Sequence, residues 1–376
     1  IRTTDSLHRK AVSRTLETLF DKGFIYKGEY RGLYCQGCEQ YKSKDDLVEG
    51  KCPDHQRKPE FLKEEGYFFK LSQFQDELVR KISSDQLMIR PEEKKNEVLS
   101  FLKQNLKDIF ISREKVRWGI PLPFDKRQTT YVWLDAFLNY LTGLGWDGKN
   151  LKLNFWPPDL QLMAKDILRV HATIWPGLLL ALNIPLPKKL FIHGFFTING
   201  QKMSKSLGNI IWPEDLVKEF GTDETRYLLI SITPFGQDGD ISWPKLKEKY
   251  KADLADGLGN LISRVIKLNK KLKTRPEPSQ KIKNLDKLFN QLKLKEVLDE
   301  IWREIAWANK YIEEKKLWQL VKNNKKEAKK VLIELLSLIN KIAEVIEPFM
   351  PETSKKILKI IQSNQIKKPL FPKISG

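Results

Sequence analysis

The apolar pattern of this chain changes character near Pro244, and that change limits the folds open to it more than any other feature. Before it, apolar residues come in short runs broken by Gly and Pro, from Ile109 to Gly143 and from Phe155 to Ile198. Leu190 to Ile198 reads as a strand, Ile174 to Leu182 as a buried helix, and Pro213 to Phe220 as the opening of another helix. Short strands alternating with helices predict an α/β region with a parallel sheet. Beyond Pro244 the period is helical. Leu254, Leu258, Leu261, Ile262, Val265 and Leu268 form one stripe, and Leu335, Leu338, Ile339, Ile342 and Ile346 form another that stops at Pro348. Charged and Pro-containing residues at 275–280 separate helices. The expected class is α/β followed by an all-α bundle.

Nearer the start, Leu7, Val12, Leu16, Leu19 and Phe20 predict a helix over Thr4 to Lys22, ended by Gly23. The alternation in Tyr26 to Tyr34 predicts hairpin strands, and a polar helix is expected around Gln73 to Ile82. At 41% hydrophobic the chain can bury cores, which excludes a disordered polymer. No run approaches the roughly eighteen apolar residues of a membrane span, and none is flanked like a signal peptide. A cytoplasmic location is expected.

The three cysteines are too few for a disulfide framework, and they lie together. Cys35-x-x-Cys38 and Cys52-x-x-His55 each place two metal-binding side chains on a tight turn, thirteen residues apart. Two such pairs can close a tetrahedron around one structural zinc, with no position left open for water; the alternative is a cluster of buried thiols. Charge is uneven as well. From Lys251 to Gly376 there are 28 Lys and Arg against 15 Asp and Glu, so +13 of the net +19 falls on the helical segment. A solubilising surface would account for that, and so would a polyanionic partner such as RNA.

The stretch from His193 to Asn209 joins a strand to a Gly-bounded loop with Lys202 and Lys205 set among small polar residues. Such a loop can bring two ammonium groups to a polyphosphate as its charge shifts. Lys202-Met-Ser-Lys-Ser206, with His193-Gly194 and Asn199-Gly200 before it, resembles the second signature of the class I aminoacyl-tRNA synthetases. Other segments resemble the methionyl member: Tyr131 to Tyr140, Ala164 to His171, Ser112-Arg113 with Trp118 to Pro121, and Tyr67 to Ser72. Ala164 stands in place of the usual Gly, and Phe137 where many members carry a smaller residue.

The resemblance covers essentially the whole chain and implies the second part of a class I Rossmann-like catalytic domain with an inserted zinc knuckle, then an α-helical anticodon-binding bundle. The implied divisions are residues 1–30, a catalytic-domain fragment; 31–72, the connective insertion with the knuckle; 73–243, the second half of the nucleotide-binding domain; and 244–376, the bundle. It implies ligation of methionine to tRNA(Met) through methionyl-adenylate, with Lys202 and Lys205 on the departing pyrophosphate. ATP, with Mg, would meet His193, Gly194, Lys202, Met203, Ser204, Lys205 and Ser206. Methionine would meet Trp133, Asp135, Tyr140, Ile167 and His171; an unbranched, polarizable thioether suits such aromatic walls, although Trp133 and His171 also fit as ordinary core residues. Asn260 and Arg264, one helical turn apart, and Trp318 would read the anticodon, by hydrogen bonding and stacking on unpaired bases. The same three residues are equally at home in a bundle that binds nothing.

One family element is not found. The four histidines, His8, His55, His171 and His193, form no His-x-Gly-His pattern, so the first signature is absent from this sequence. The expectation is an N-terminally truncated or split member, doubtful as an enzyme alone and completed by a separate N-terminal half, and otherwise a monomer. A noncatalytic tRNA-binding paralogue and a class I ligase for another amino acid, such as cysteine, are the alternatives.

Overall fold

The computed structural model describes residues 1–376 except 38, 39, 43–45, 54, 55, 105, 115, 117, 150–153, 204–207, 279–281, 283, 375 and 376, and at 40, 41 and 202 describes the backbone alone. The chain divides into two units, Ile1–Ile192 and His193–Gly376.

In the first unit, helix α1 (Ser6–Asp21) turns Ala11, Val12, Leu16 and Leu19 inward, and Gly23, at φ +73°, reverses the chain after it. Strand β1 (Ile25–Cys35) pairs at its end with β2 (Gln40–Lys42) and along most of its length with β3 (Glu60–Phe69). The hairpin expected within Tyr26 to Tyr34 is therefore not formed. Ile25 to Tyr34 runs straight against Glu60 to Phe69. Its glycines do not turn the chain; they make room for rings. A Cβ on Gly28 would lie 3.1 Å from the Phe68 ring, and one on the facing Gly66 would lie 2.3 Å from Ser112 Oγ.

Helix α2 (Gln75–Ser83), strand β4 (Met88–Arg90) and helix α3 (Glu92–Leu102) follow. Strand β5 (Ile109–Phe110) extends the first sheet beside β3, and β6 (Ser112–Arg113) pairs antiparallel with β7 (Thr129–Thr130). Helix α4 (Val132–Thr142), strand β8 (Gln161–Ala164), helices α5 (Leu168–Ala172) and α6 (Ile174–Ala181), and strand β9 (Lys189–His193) complete the unit. Parallel β4 and β9 stand with β8 in one sheet, in the order β4-β9-β8. One apolar core, running from Ala11 to Ile192, joins α1, α4, α6 and this sheet.

The second unit opens with β10 (Phe196–Ile198) and β11 (Gln201–Lys202). The single strand expected over Leu190 to Ile198 is thus two strands. Gly194 breaks it, because its backbone passes so near Gln237 that a Cβ there would sit 2.4 Å from the carbonyl carbon. Helices α7 (Pro213–Phe220) and α8 (Thr222–Ser231) carry the chain back to β12 (Gly239–Asp240), parallel to β10. Then α9 (Trp243–Lys249), a wide-turn helical stretch (Tyr250–Gly259) and α10 (Asn260–Asn269) run on without interruption. Helices α11 (Leu285–Asn290), α12 (Leu294–Glu314), α13 (Leu317–Asn323), α14 (Lys325–Ile346) and α15 (Pro351–Ser363) finish the bundle.

Both predicted apolar stripes are its interior, with Leu268 and Leu338 half-covered at the margin. The same core takes in Leu216, Phe220, Tyr227 and Leu228, so packing joins α7 and α8 with the later helices although the apolar period changes only at Pro244. Polar bonds strengthen that joint. Arg226 donates to the carbonyls of Pro348 and Phe349, at 2.7 and 2.8 Å, and buried Asp223 accepts the Thr353 N–H at 2.6 Å. Among the described residues no helix is long and apolar enough to cross a membrane.

Candidate functional site: a ring-lined pocket, a lysine hairpin and a helical face

On α4, Trp133, Phe137 and Tyr140 recur at helical spacing; Ile167, His171 and Trp175 do the same across α5 and α6. The two series meet. The Phe137 ring stacks on Trp175 at 5.5 Å and meets His171 edge-on at 4.9 Å. Trp133 lies 5.4 Å from Phe137 and 6.2 Å from His171. Ile167, half-buried, packs on the same core. His171 makes two polar contacts: Nδ1 lies 3.0 Å from the Ile167 carbonyl oxygen, and Nε2 lies 3.1 Å from the Tyr140 hydroxyl. A carbonyl can only accept, so Nδ1 carries the proton and Tyr140 donates to bare Nε2. Burial holds the His171 pKa below its ordinary value, which keeps the ring neutral.

Asp135 shares helix α4 with Trp133 and has no neutralising partner among the described residues; burial pushes its carboxyl up to about 7. The buried indole N–H of Trp133 finds no acceptor among the described residues. A cleft of about 300 Å³ opens beside this cluster, walled by Tyr140, Phe155, Trp156, Leu160, Gln161 and Leu162. Trp133 and Ile167 do not line it. Sequence reasoning missed Trp175, which is wholly buried and donates its N–H to Gln161 Oε1 at 3.2 Å. Its spacing of four from His171 was the available signal.

In the second unit, β10 and β11 form a hairpin closed by Asn199 and Gly200, both at positive φ (+52° and +73°). An Asn-Gly pair favours that two-residue turn because its backbone twist matches the strands. The backbone of Lys202 pairs with Thr197 as the last residue of the hairpin, and Met203 follows it, half-buried. Ser204, Lys205 and Ser206 lie outside the described residues. The His193 ring stacks over Phe235 at 6.4 Å, and Gly194 is the close-passing glycine that no side chain could replace without displacing Gln237 and Asp238.

On the bundle, Asn260 is exposed at the start of α10, and Arg264 one turn later pairs with Glu313 of α12 at 2.6 Å. Trp318, on α13 against α10, keeps 38% of its surface exposed. A second open aromatic, Trp307, stacks on Tyr311 at 4.8 Å; the sequence reading passed over this pair despite its spacing of four.

Of the proposed zinc ligands, Cys35 ends β1 and is buried, and Cys52 is buried in a tight turn where its carbonyl accepts the Gln56 N–H at 2.8 Å. Cys38 and His55 lie outside the described residues, among which no cluster of metal-binding side chains occurs.

Comparison with known proteins places these features in one context. A family model described as tRNA synthetases class I (M) matches residues 1–58 and 54–266. The chain belongs to that family. A second model, the anticodon binding domain of methionyl tRNA ligase, matches residues 267–373. The class I synthetase architecture, a catalytic domain followed by a helical anticodon-binding domain, is therefore the fold of this chain. Among curated relatives, a methionine–tRNA ligase of Clostridium acetobutylicum is 44% identical over 95% of this chain, and one of Thermotoga maritima is 38% identical over 96%. The chain spans 59% and 61% of those two proteins' lengths. Among solved structures, Mycobacterium tuberculosis methionyl-tRNA synthetase bound by methionyl-adenylate superposes with a TM-score of 0.86 at 32% identity, covering all of this chain and 82% of that one. The free form of the same enzyme superposes at 0.84.

Proposed function

We propose that this chain carries the methionine-selecting, pyrophosphate-releasing and anticodon-reading parts of a methionine–tRNA ligase. The observation that supports this most directly is the ring cluster: a neutral His171 held between Ile167 and Tyr140, with Trp133 and Phe137 packed against it. Such a wall offers dispersion and sulfur–aromatic contact to an unbranched thioether. A protonated imidazole would repel the ammonium of the incoming amino acid, whereas the neutral ring does not. The indole N–H of Trp133 and the carboxyl of Asp135, neither with a partner among the described residues, are polar groups to which the amino acid's own charged ends could be matched.

In the reaction so assigned, a methionine carboxylate oxygen attacks the α-phosphorus of ATP, supplied as its magnesium complex. The bond to the β-phosphate breaks and pyrophosphate leaves. A ribose hydroxyl at the 3′ end of tRNA(Met) then attacks the methionyl carbonyl and releases AMP. Lys202 and Lys205 would stabilise the leaving pyrophosphate, with His193, Gly194, Met203, Ser204 and Ser206 around the nucleotide. Asn260, Arg264 and Trp318 would receive the anticodon; the Arg264–Glu313 ion pair orients the guanidinium before RNA arrives. Cys35, Cys38, Cys52 and His55 would hold one zinc that folds the segment between β1 and β3. Two buried thiols, Cys35 at the end of β1 and Cys52 in a turn, have the chemistry for that ion. The domain divisions at residues 30, 72 and 243 belong to the same proposal.

The test is methionine-dependent ATP–pyrophosphate exchange by this chain, alone and joined to the part of the relatives' length that it does not span. Exchange with methionine, and not with cysteine, supports the assignment; a joined protein that binds tRNA but shows no exchange overturns it in favour of a noncatalytic RNA binder. Separately, Trp318→Ala should weaken binding of a CAU-bearing tRNA by about 1–3 kcal/mol, the range for one lost stacking contact. Equal affinities in a filter-binding titration would remove Trp318 from the interface.

A further inference from the structure

The Asn199-Gly200 turn is not left to hold itself. Strand β12 runs parallel to β10, with Gly239 N–H donating to the Phe195 carbonyl at 2.9 Å and Ile241 N–H to the Thr197 carbonyl at 2.8 Å. That register brings Asp240 beside Thr197. Its Oδ1 accepts the Gly200 backbone N–H at 3.0 Å and lies 3.3 Å from the Thr197 hydroxyl, while its Oδ2 accepts Lys245 Nζ at 2.8 Å. In a two-residue hairpin turn the N–H of the second turn residue points away from the ladder, so without Asp240 only water would satisfy it.

We propose that Asp240 is a positioning residue: its carboxylate fastens the tip of the β10–β11 hairpin to β12 and so fixes the root from which the lysine loop, beginning at Lys202, departs. Three features carry this. The bond is charge-assisted, and such bonds are shorter and stronger than neutral ones. Lys245, in the first turn of α9, occupies the other carboxylate oxygen and leaves Oδ1 aimed at the turn. The three contacts also draw the Asp240 carboxyl below its ordinary range, with Lys245 first and the Gly200 N–H second among the causes. Asp240 is half-buried and Lys245 exposed, and ion pairs so open to water contribute little to folding. Its consequence is geometric. With the Asn199-Gly200 tip held to β12, the backbone of Lys202, paired with Thr197, is presented in one place.

The inference rests on the reading of Lys202 and Lys205 as pyrophosphate-handling residues, so two measurements are needed that fail separately. The first is amide hydrogen exchange at Gly200 in the full chain, which requires no activity. Asp240→Ala should raise the Gly200 rate about tenfold or more, while Asp240→Asn, which keeps a carbonyl oxygen at the same reach, should restore most of the protection. Asp240→Ser, polar but too short to reach, should behave as the alanine variant and covers the case where that variant folds poorly. Gly200 exchanging equally fast in wild type and in Asp240→Ala or Asp240→Ser overturns the proposal.

The second is methionine-dependent pyrophosphate exchange in the joined protein. Asp240→Ala should lower kcat about tenfold with the KM for methionine nearly unchanged, and Asp240→Asn should recover most of it. A merely structural contact would move both parameters or neither. Equal losses in the Ala and Asn variants overturn the proposal. Wild-type protein that shows no exchange at all sinks the ligase reading instead, and leaves the Gly200–Asp240 fastening to be judged by the Gly200 amide.

Discussion

Around His171 position is set by burial, whereas at the hairpin bearing Lys202 it is set by hydrogen bonds in water. Trp175 and Phe137 are almost fully enclosed and lock each other in place ring on ring, so the pocket wall is also part of the core of its unit. The hairpin has little apolar cover. Its order depends on an Asn-Gly turn and on one half-buried carboxylate. A wall that must discriminate by shape gains from being part of the core, because close packing leaves few alternative arrangements. A hairpin fastened by a turn and one carboxylate can be released without disturbing a core. The difference implies that damage to the first site appears as lost stability and damage to the second as lost rate.

Trp175→Ala tests that division most severely. It removes a wholly buried indole, its contacts with Phe137, Tyr140 and Trp156, and its bond to Gln161. The expected cost is about 3–5 kcal/mol, confined to the first unit. Denaturant unfolding followed by hydrogen exchange should show that unit melting early while the helices of α10 to α15 keep their protection. A loss under about 1 kcal/mol would mean that the pocket wall is not core after all.

Asp135→Asn should move stability in the other direction. Burial raises the Asp135 pKa from 3.8 to about 7, so in the folded chain the carboxyl keeps its proton where the unfolded chain has released it. Stability from this group is therefore full below about pH 4, falls as pH rises toward 7, and stays low above that. The amide cannot ionise. At pH 8 it should stabilise the first unit by on the order of 1–3 kcal/mol and flatten the slope between pH 4 and 7, while slowing methionine-dependent exchange. Melting curves at pH 5 and pH 8 check the sign; a variant less stable than wild type at pH 8 would show that a cation pairs with Asp135 in solution.

How much of this could be read beforehand differs between the same two places. Trp133, Phe137 and Tyr140, like Ile167, His171 and Trp175, fall at helical spacing, so each series could be placed on one face from sequence alone. Nothing local shows that the two faces meet, and only the family resemblance joined them. The hairpin turn at Asn199-Gly200 was legible as a glycine-bounded loop, yet the partner of its N–H lies forty residues on, in β12, with no periodicity to connect them. Glycine misled in both units. The alternation around Gly28 and Gly32 predicts hairpin strands where one strand runs straight past aromatic rings, and Gly194 sits in a predicted strand that a close backbone crossing ends. At Gly28 and Gly194 the missing Cβ answers to Phe68 and to Gln237, some forty residues on, and sequence spacing carries no trace of those neighbours.

Tyr140→Phe carries the smallest expected effect and probes the comparison most finely, because it alters a hydrogen bond inside the packed site. Tyr140 is 40% exposed, so water can reach the Nε2 atom that loses its donor, and the cost should be about 0.5–1.5 kcal/mol. Direction is the sharper readout. The carbonyl of Ile167 fixes the proton on Nδ1, so the Tyr140 hydroxyl donates to a bare Nε2 and favours the neutral ring. Removing that donor should raise the His171 pKa, seen as an upward shift in its NMR titration. The folded wild type holds this pKa below 6.5, so protonation of the unfolded chain erodes stability as pH falls through that range. In the variant that acid-side loss should be shallower. Were Nε2 instead the proton carrier, donating to the phenol oxygen, the same substitution would lower the pKa and steepen the loss, and the neutral wall assigned to the methionine side chain would have its tautomer reversed.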